Sequence, residues 1–177
     1  MDILTHRLAT ASDMEALTAL MNAAIGGLLP KFLPPEQVEA SFSVMGLDTV
    51  LIEDGTYFVI ELGGELAGCG GWSRRATLFG GNHTRGRDAR LLDPKTEPAR
   101  VRAMYTSPHF TRRGVGRMVL GLCEEAARKE GFSRVELAAT MGGKPLYEAC
   151  GYQPIEAMQV ATPNGVEVPL LRMGKAI

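Results

Sequence analysis

Residues 99–139 constrain the fold more than any other stretch. "ARVRAMYTS" is apolar and β-favouring, "HFTRRGVG" interrupts it, a helical period runs from about Val115 to Lys129, and "SRVELAA" returns to strand after a break at Gly131. Strand, helix and strand in this succession form a βαβ unit, which requires two parallel strands with the helix packed on the sheet. On that helix Val115, Met118, Val119, Leu122, Cys123 and Ala126 share one face, while Arg117, Glu124, Arg128 and Lys129 mostly take the other.

The remaining pattern surrounds this unit with strands of mixed direction. Ile3–Ala9 alternates as a strand, and "TASDMEALTALMNAAI" offers Ser12 as a helix N-cap with Glu15 in capping-box position. Met14, Leu17, Leu20, Met21 and Ala24 line one face of that helix. "GGLLPKFLPP" ends it, and Pro35 begins a second helix reaching about Met45, because proline suits a first helical turn. "TYFVIEL" and "LAGCGGWSR" form a hairpin about Gly63-Gly64, and residues 74–98 form a long loop rich in Gly, Arg and Asp, a lid or a mobile segment. A short helix at Pro145–Ala149 and two strands, near Tyr152–Val160 and Val166–Met173, complete the chain. The expectation is one α/β domain over residues 1–177, with a mixed central sheet flanked by helices.

The turn before the central helix has its own chemistry. First-turn N–H groups lack intrahelical partners, and the aligned peptide dipoles leave partial positive charge there. Gly114 and Gly116 remove Cβ atoms that would hold a ligand away, while Arg112, Arg113 and Arg117 add full charges. The expected guest is a phosphate or diphosphate. Since the dipole contributes about 0.3–1 kcal/mol, converging N–H bonds and arginines must supply most of the affinity.

Two other phosphate patterns fit poorly. Neither Gly143-Lys144 nor Gly174-Lys175 has the partners of a nucleotide-triphosphate loop. A dinucleotide fingerprint would need a third glycine where Val119 stands, and Glu136, at the distance of the ribose-binding acid, falls mid-strand. The bland alternative is a solvated turn whose arginines merely decorate a helix end.

Composition closes other routes. A formal net charge of −1 over 177 residues names no nucleic-acid partner. Cys69, Cys123 and Cys150 are scattered and odd in number, which argues against a disulfide framework or a metal cluster. No apolar stretch is long enough to cross a bilayer and the first residues do not resemble a signal peptide, so a cytoplasmic protein with no membrane partner is expected.

The run "VRAMYTSPHFTRRGVGRMVLGLCEEAARKEGFSRVELAA", followed by "KPLYEACGYQP", resembles the Gcn5-related N-acetyltransferase family. The resemblance spans roughly Arg100–Pro154 and implies a sheet splayed between two strands, with acetyl-CoA held in the opening as co-substrate and no metal. The family's [Q/R]-x-x-G-x-[G/A] pyrophosphate turn falls on Thr111, Arg112, Arg113, Gly114, Val115 and Gly116; Thr111 departs from the pattern at its first position. Met104, Tyr105 and Thr106 take the place where backbone pairs with the pantetheine amides. Thr140 stands where many relatives carry asparagine. Tyr147 matches the tyrosine near the thioether sulfur, and the resemblance makes it the acid that protonates the departing thiolate.

The implied reaction is direct attack of a primary amine of a small molecule on the acetyl carbonyl in a ternary complex. It needs no enzyme nucleophile, so Cys150, which has no basic neighbour in sequence, is expected to be a packed thiol. Glu61, Glu97 and His83 are open candidates for the base, and His109 sits closest to the pyrophosphate turn. Acceptor specificity is expected in the first 95 residues and the 74–98 loop. There Trp72 and Phe79 could form apolar wall, while Arg74, Arg75, Arg85, Arg87 and Arg90 could either clamp an anion or face water. A homodimer is compatible with this reading. The rival from another class is a module that binds acyl-CoA without turnover.

Overall fold

The computed structural model describes residues 2–177. Seven strands, β1 (Leu4–Leu8), β2 (Tyr57–Leu62), β3 (Glu65–Ser73), β4 (Ala99–Thr106), β5 (Arg134–Thr140), β6 (Gln153–Ala161) and β7 (Glu167–Ala176), form one sheet in the order β1-β2-β3-β4-β5-β7-β6. Every neighbouring pair is antiparallel except β4–β5, the parallel pair of the βαβ unit. That pair holds for two residue positions only, Ala99↔Val135 and Arg100↔Glu136, after which the strands part. The splayed sheet expected from the resemblance is therefore present.

Helices cover both faces. On one, α4 (Val115–Lys129) buries Val115, Val119, Leu120, Cys123 and Ala127 against Ile60, Ala67, Val135 and Leu137 of the sheet. Leu120 and Ala127 thus lie deeper than Met118, Leu122 and Ala126, which are partly buried. The apolar stripe is rotated slightly from the one counted in the sequence, toward Leu120 and Ala127, which pack on the sheet. Each large side chain in this layer contributes about 1.5–3 kcal/mol by leaving water.

The opposite face carries α1 (Met14–Leu28), α2 (Pro35–Val44) and a short α3 (Thr49–Glu53). Leu17, Leu20, Ala24 and Ile25 of α1 pack on Tyr57, Val59, Cys69 and Tyr105, whereas α2 packs Ala40 and Val44 on Val168 and Leu170 of β7. The start of α1 differs from the expectation. A turn of 3-10 helix at Ala11–Asp13 precedes it, and the Thr10 N–H donates to Asp13 Oδ2 at 2.7 Å, so the capping box lies on Thr10 and Asp13 rather than Ser12 and Glu15. Arg7 decides this by donating twice to the Asp13 carboxylate, at 2.8 and 2.9 Å.

Helix α3 was not anticipated, although its signals are local: Asp48 accepts from Val50 N–H at 3.0 Å as N-cap, and Gly55 follows with φ +70°. α5 (Lys144–Ala149) comes where expected. Among the described residues no helix is long and apolar enough to cross a membrane.

Candidate active site

The parting of β4 from β5 leaves a cleft of about 220 Å³. Beyond Arg100 the β5-facing edge of β4 has no ladder partner, so its main-chain groups face the opening. A second irregularity sharpens this. The β3–β4 register shifts between Cys69 and Gly71, and Ala103 lies there at φ +50°. A non-glycine residue in that region costs of order 1–3 kcal/mol and persists only when its surroundings hold it. Here the Tyr57 hydroxyl, reaching from β2 past β3, donates to the Ala103 carbonyl at 2.7 Å.

Downstream of β4, a turn of 3-10 helix at Pro108–Phe110 leads into the arginine-glycine turn. Arg112 (φ +62°) and Gly114 (φ +85°) are both left-handed, which bends the chain so that successive N–H groups converge on the start of α4. Gly114 is the N-cap, without a side-chain cap bond. Thr111, Arg112, Arg113, Gly114 and Arg117 are exposed, and among the described residues the three arginines make no ion pair or hydrogen bond. Gly116 has a different reason from the one inferred. A Cβ there would come within 2.5 Å of Leu146 Cδ2, so this glycine lets α5 approach α4. The contact brings Tyr147 over the cleft.

Tyr147 is 9% exposed, edge-on to Tyr152 at 5.9 Å between centroids, with its hydroxyl 3.7 Å from Met104 Sδ. Burial pushes its pKa well above the ordinary phenol value. A thioether is a weak acceptor, so this buried hydroxyl has donor capacity to spare. Met104, Tyr105 and Thr106 also line the cleft, although the Tyr105 side chain is buried, with its hydroxyl donating to the Gly46 carbonyl at 3.1 Å. Thr140 lines it too, its Oγ1 accepting from Gly143 N–H at 3.1 Å.

Several expectations for the acceptor side change. Trp72 is core, 3% exposed and edge-on to Phe132, whereas Phe79 does line the cleft. The 74–98 segment is tied down: Ala76 N–H bonds Arg90 O, Thr77 bonds Asp88, and Leu92 N–H bonds Arg74 O. Its arginines are largely committed, Arg74 to Glu130, Arg75 to Asp54, Arg87 to Asp48 and Arg90 to Glu97. These four do not form an anion clamp, because carboxylates of the same chain already hold them; Arg85 is exposed, and among the described residues it makes no ion pair.

None of the base candidates reaches the cleft lining. Glu61 pairs with Arg7, Glu97 with Arg90, and His83 is exposed beside Gly46. His109 is exposed before the turn. Glu136 is locked between Arg100 and Arg172, which excludes it as a ribose ligand. Cys69 and Cys123 are buried free thiols, and burial pushes Cys69 up to about 12.

Arg102 and Asp48 form a buried pair that no local motif marks. Arg102 is 3% exposed and donates to Asp48 Oδ2 at 3.1 Å and to the Gly80 carbonyl at 2.7 Å. The available signal was the pair Arg100 and Arg102 at i, i+2 in a buried strand, since buried cations demand acidic partners.

The model of the acetyltransferase (GNAT) family matches residues 20–152. An uncharacterized N-acetyltransferase, YsnE, from Bacillus subtilis (strain 168) is 29% identical over 128 residues, 70% of each chain. Among solved structures, a GCN5-related N-acetyltransferase from Rhodopseudomonas palustris superposes with TM-score 0.73 at 18% identity, covering 100% of this chain and 98% of the other. YncA, a putative acetyltransferase from Salmonella typhimurium solved with acetyl-CoA, gives 0.63 at 18% identity over 98% and 93%.

Proposed function

Since the chain belongs to the acetyltransferase (GNAT) family, we propose that it moves acetyl from acetyl-CoA to a primary amine of a small molecule by direct attack in a ternary complex. The observation that carries this reading is the succession of an open strand edge, a buried tyrosine hydroxyl and an unpaired basic helix start along one stretch of chain. The cleft at the open edge of β4 is lined by Met104, Tyr105, Thr106 and Tyr147, and β4 leads within a few residues to the unpaired arginines and free N–H groups at the start of α4.

The fit to the coenzyme follows from the donor set. N–H groups of residues 112–117, with Arg112, Arg113 and Arg117, would hold the pyrophosphate, and Gly114 supplies the backbone conformation. The main chain of Met104, Tyr105 and Thr106 would pair with the pantetheine amides. Bound acetyl-CoA supplies an electrophilic thioester carbonyl. The strained segment at Ala103 and Met104 would aim an N–H at that carbonyl oxygen, held ready by the Tyr57 bond to Ala103.

Tyr147 would donate its proton to the leaving sulfur. Burial raises its pKa, so it stays protonated at neutral pH and keeps a proton to give, while the same dry cleft disfavours a bare departing thiolate. The whole span 1–177 works as one unit in this reading, because β1 and β7 enter the same sheet. Three free thiols suit a reducing compartment such as the cytoplasm.

The test is release of free coenzyme A from acetyl-CoA with a panel of amines. Tyr147→Phe should lower kcat about 10²- to 10⁴-fold, as for a lost general acid, with little change in coenzyme affinity. Equal losses in both would contradict the assignment.

A further inference from the structure

The cleft has a second half. If acetyl-CoA enters past Thr106 and its sulfur lies at Met104 and Tyr147, the acceptor must come from the other direction along β4. That end is walled by Val44, Met45, Leu78, Phe79, Arg102 and Leu170. Among the described residues the ionisable side chains lining the entire cleft are Arg102, Tyr105 and Tyr147; no aspartate, glutamate, histidine or lysine joins them.

The charge there is positive. Asp48 lies behind Arg102, and its two carboxylate oxygens are taken by Arg102 and Arg87, at 3.1 and 2.9 Å. Two guanidiniums against one carboxylate leave an excess of one positive charge. Tyr105 and Tyr147 are neutral phenols, and burial raises the pKa of each. The nearby Arg75–Asp54 pair is balanced.

An ammonium entering this end would lose its hydration, meet no carboxylate and face a buried cation. A carboxylate on the acceptor would do little better. Arg102 Nη2 is spent on Asp48 and Gly80, Nη1 lies 3.5 Å from the Thr77 carbonyl, and Nε, though unpartnered, is buried out of reach of solvent.

We infer that the acceptor is an apolar primary amine of low basicity, either an aromatic amine or the amine of an α-amino amide, and that it binds as the free base. This rests on the acetyl-transfer reading and adds the substrate class. It also explains why no base lines the cleft to take the ammonium proton: that proton is lost to water before binding, and the N–H proton released as the C–N bond forms and the C–S bond breaks restores the one Tyr147 gives to the sulfur. The expected discrimination follows from protonation alone. At pH 7.5 an α-amine with a pKa of about 7.8 is roughly one-third free base, whereas an alkylamine near 10.4 is about one part in a thousand, a ratio of roughly 300.

The experiment measures kcat/KM of the intact protein with acetyl-CoA and four acceptors of similar shape: an aniline, phenylalaninamide, benzylamine and phenylalanine. For benzylamine kcat/KM should climb about tenfold per pH unit between pH 7 and 9, following the titration of the amine in free solution. The aniline profile should be flat, and at pH 7.5 phenylalaninamide should exceed both benzylamine and phenylalanine by more than tenfold. Phe79→Glu, which places a carboxylate in this wall, should shift preference toward benzylamine.

A benzylamine profile that levels off below pH 8 would reveal a protein group taking the proton and overturn the inference while leaving acetyl transfer intact. Preference for phenylalanine over its amide, or an unchanged preference in the variant, would also overturn it. Failure of every amine to release coenzyme A would overturn the underlying reading as well.

Discussion

Two arginine-rich regions of this molecule serve opposite purposes. Residues 111–117 hold three guanidiniums that are exposed and uncommitted, beside main-chain donors with no intrahelical partner. Residues 74–98 hold at least as many, yet Arg74, Arg75, Arg87 and Arg90 each reach a carboxylate of the same chain. One region leaves its positive charge unpaired, as the proposed coenzyme site requires, and the other spends it on its own folding. Arginine density alone does not separate them; the position of Asp48, Asp54, Glu97 and Glu130 does.

The contrast can be broken most severely at Asp48. This side chain is 3% exposed, pairs with Arg102 and Arg87, and caps α3. Asp48→Ala strands two cations, one fully buried, and should cost about 3–5 kcal/mol in a denaturant melt. A loss under about 1 kcal/mol would mean that water reaches the guanidiniums. Next in size, Arg112→Glu with Arg113→Glu should weaken coenzyme A binding about 10- to 100-fold, the equivalent of about 1.5–3 kcal/mol in charge-assisted contacts, with the melting temperature unchanged. Salt should reproduce part of that loss. Binding that survives the double substitution would remove the turn from the site.

Gly114→Ala should sharpen the comparison by separating backbone from charge. Its φ of +85° makes a side chain cost about 1–2 kcal/mol of stability, and titration should show weaker coenzyme binding with all three arginines present. The smallest effect belongs to the exposed pair Arg90–Glu97. Arg90 holds the Glu97 carboxyl down at about 2. A depressed carboxyl adds stability above its ordinary range and loses it as pH falls toward the folded value. Arg90→Ala should therefore alter only the acid limb of a melt between about pH 4.5 and 2, and leave coenzyme affinity untouched. A change in affinity would show that the segment does serve the guest.

What could be read along the chain was whatever depends on near neighbours. The α4 period, the Gly63-Gly64 hairpin and Pro35 at the start of α2 all came out within a residue or two. The capping box slipped from Ser12 to Thr10 because Arg7, on the preceding strand, captures Asp13. Trp72 was assigned to a pocket wall, yet β3 turns it into the core beneath α4, where Phe132 meets its edge. Nothing in "VRAMY" announces a left-handed Ala103 either. That conformation depends on Tyr57, 46 residues away, reaching across the sheet.

By itself the sequence determined the βαβ unit, the glycine-arginine turn that opens its helix and the placement of Tyr147 after it, since periodicity, glycine positions and helix termini act over a few residues. The tertiary structure decided which charges are free, how far β4 and β5 diverge and what electrostatic character the acceptor end has. Those properties rest on partners brought together from distant parts of the chain, and a buried charge takes its meaning from what lies within a few ångströms of it.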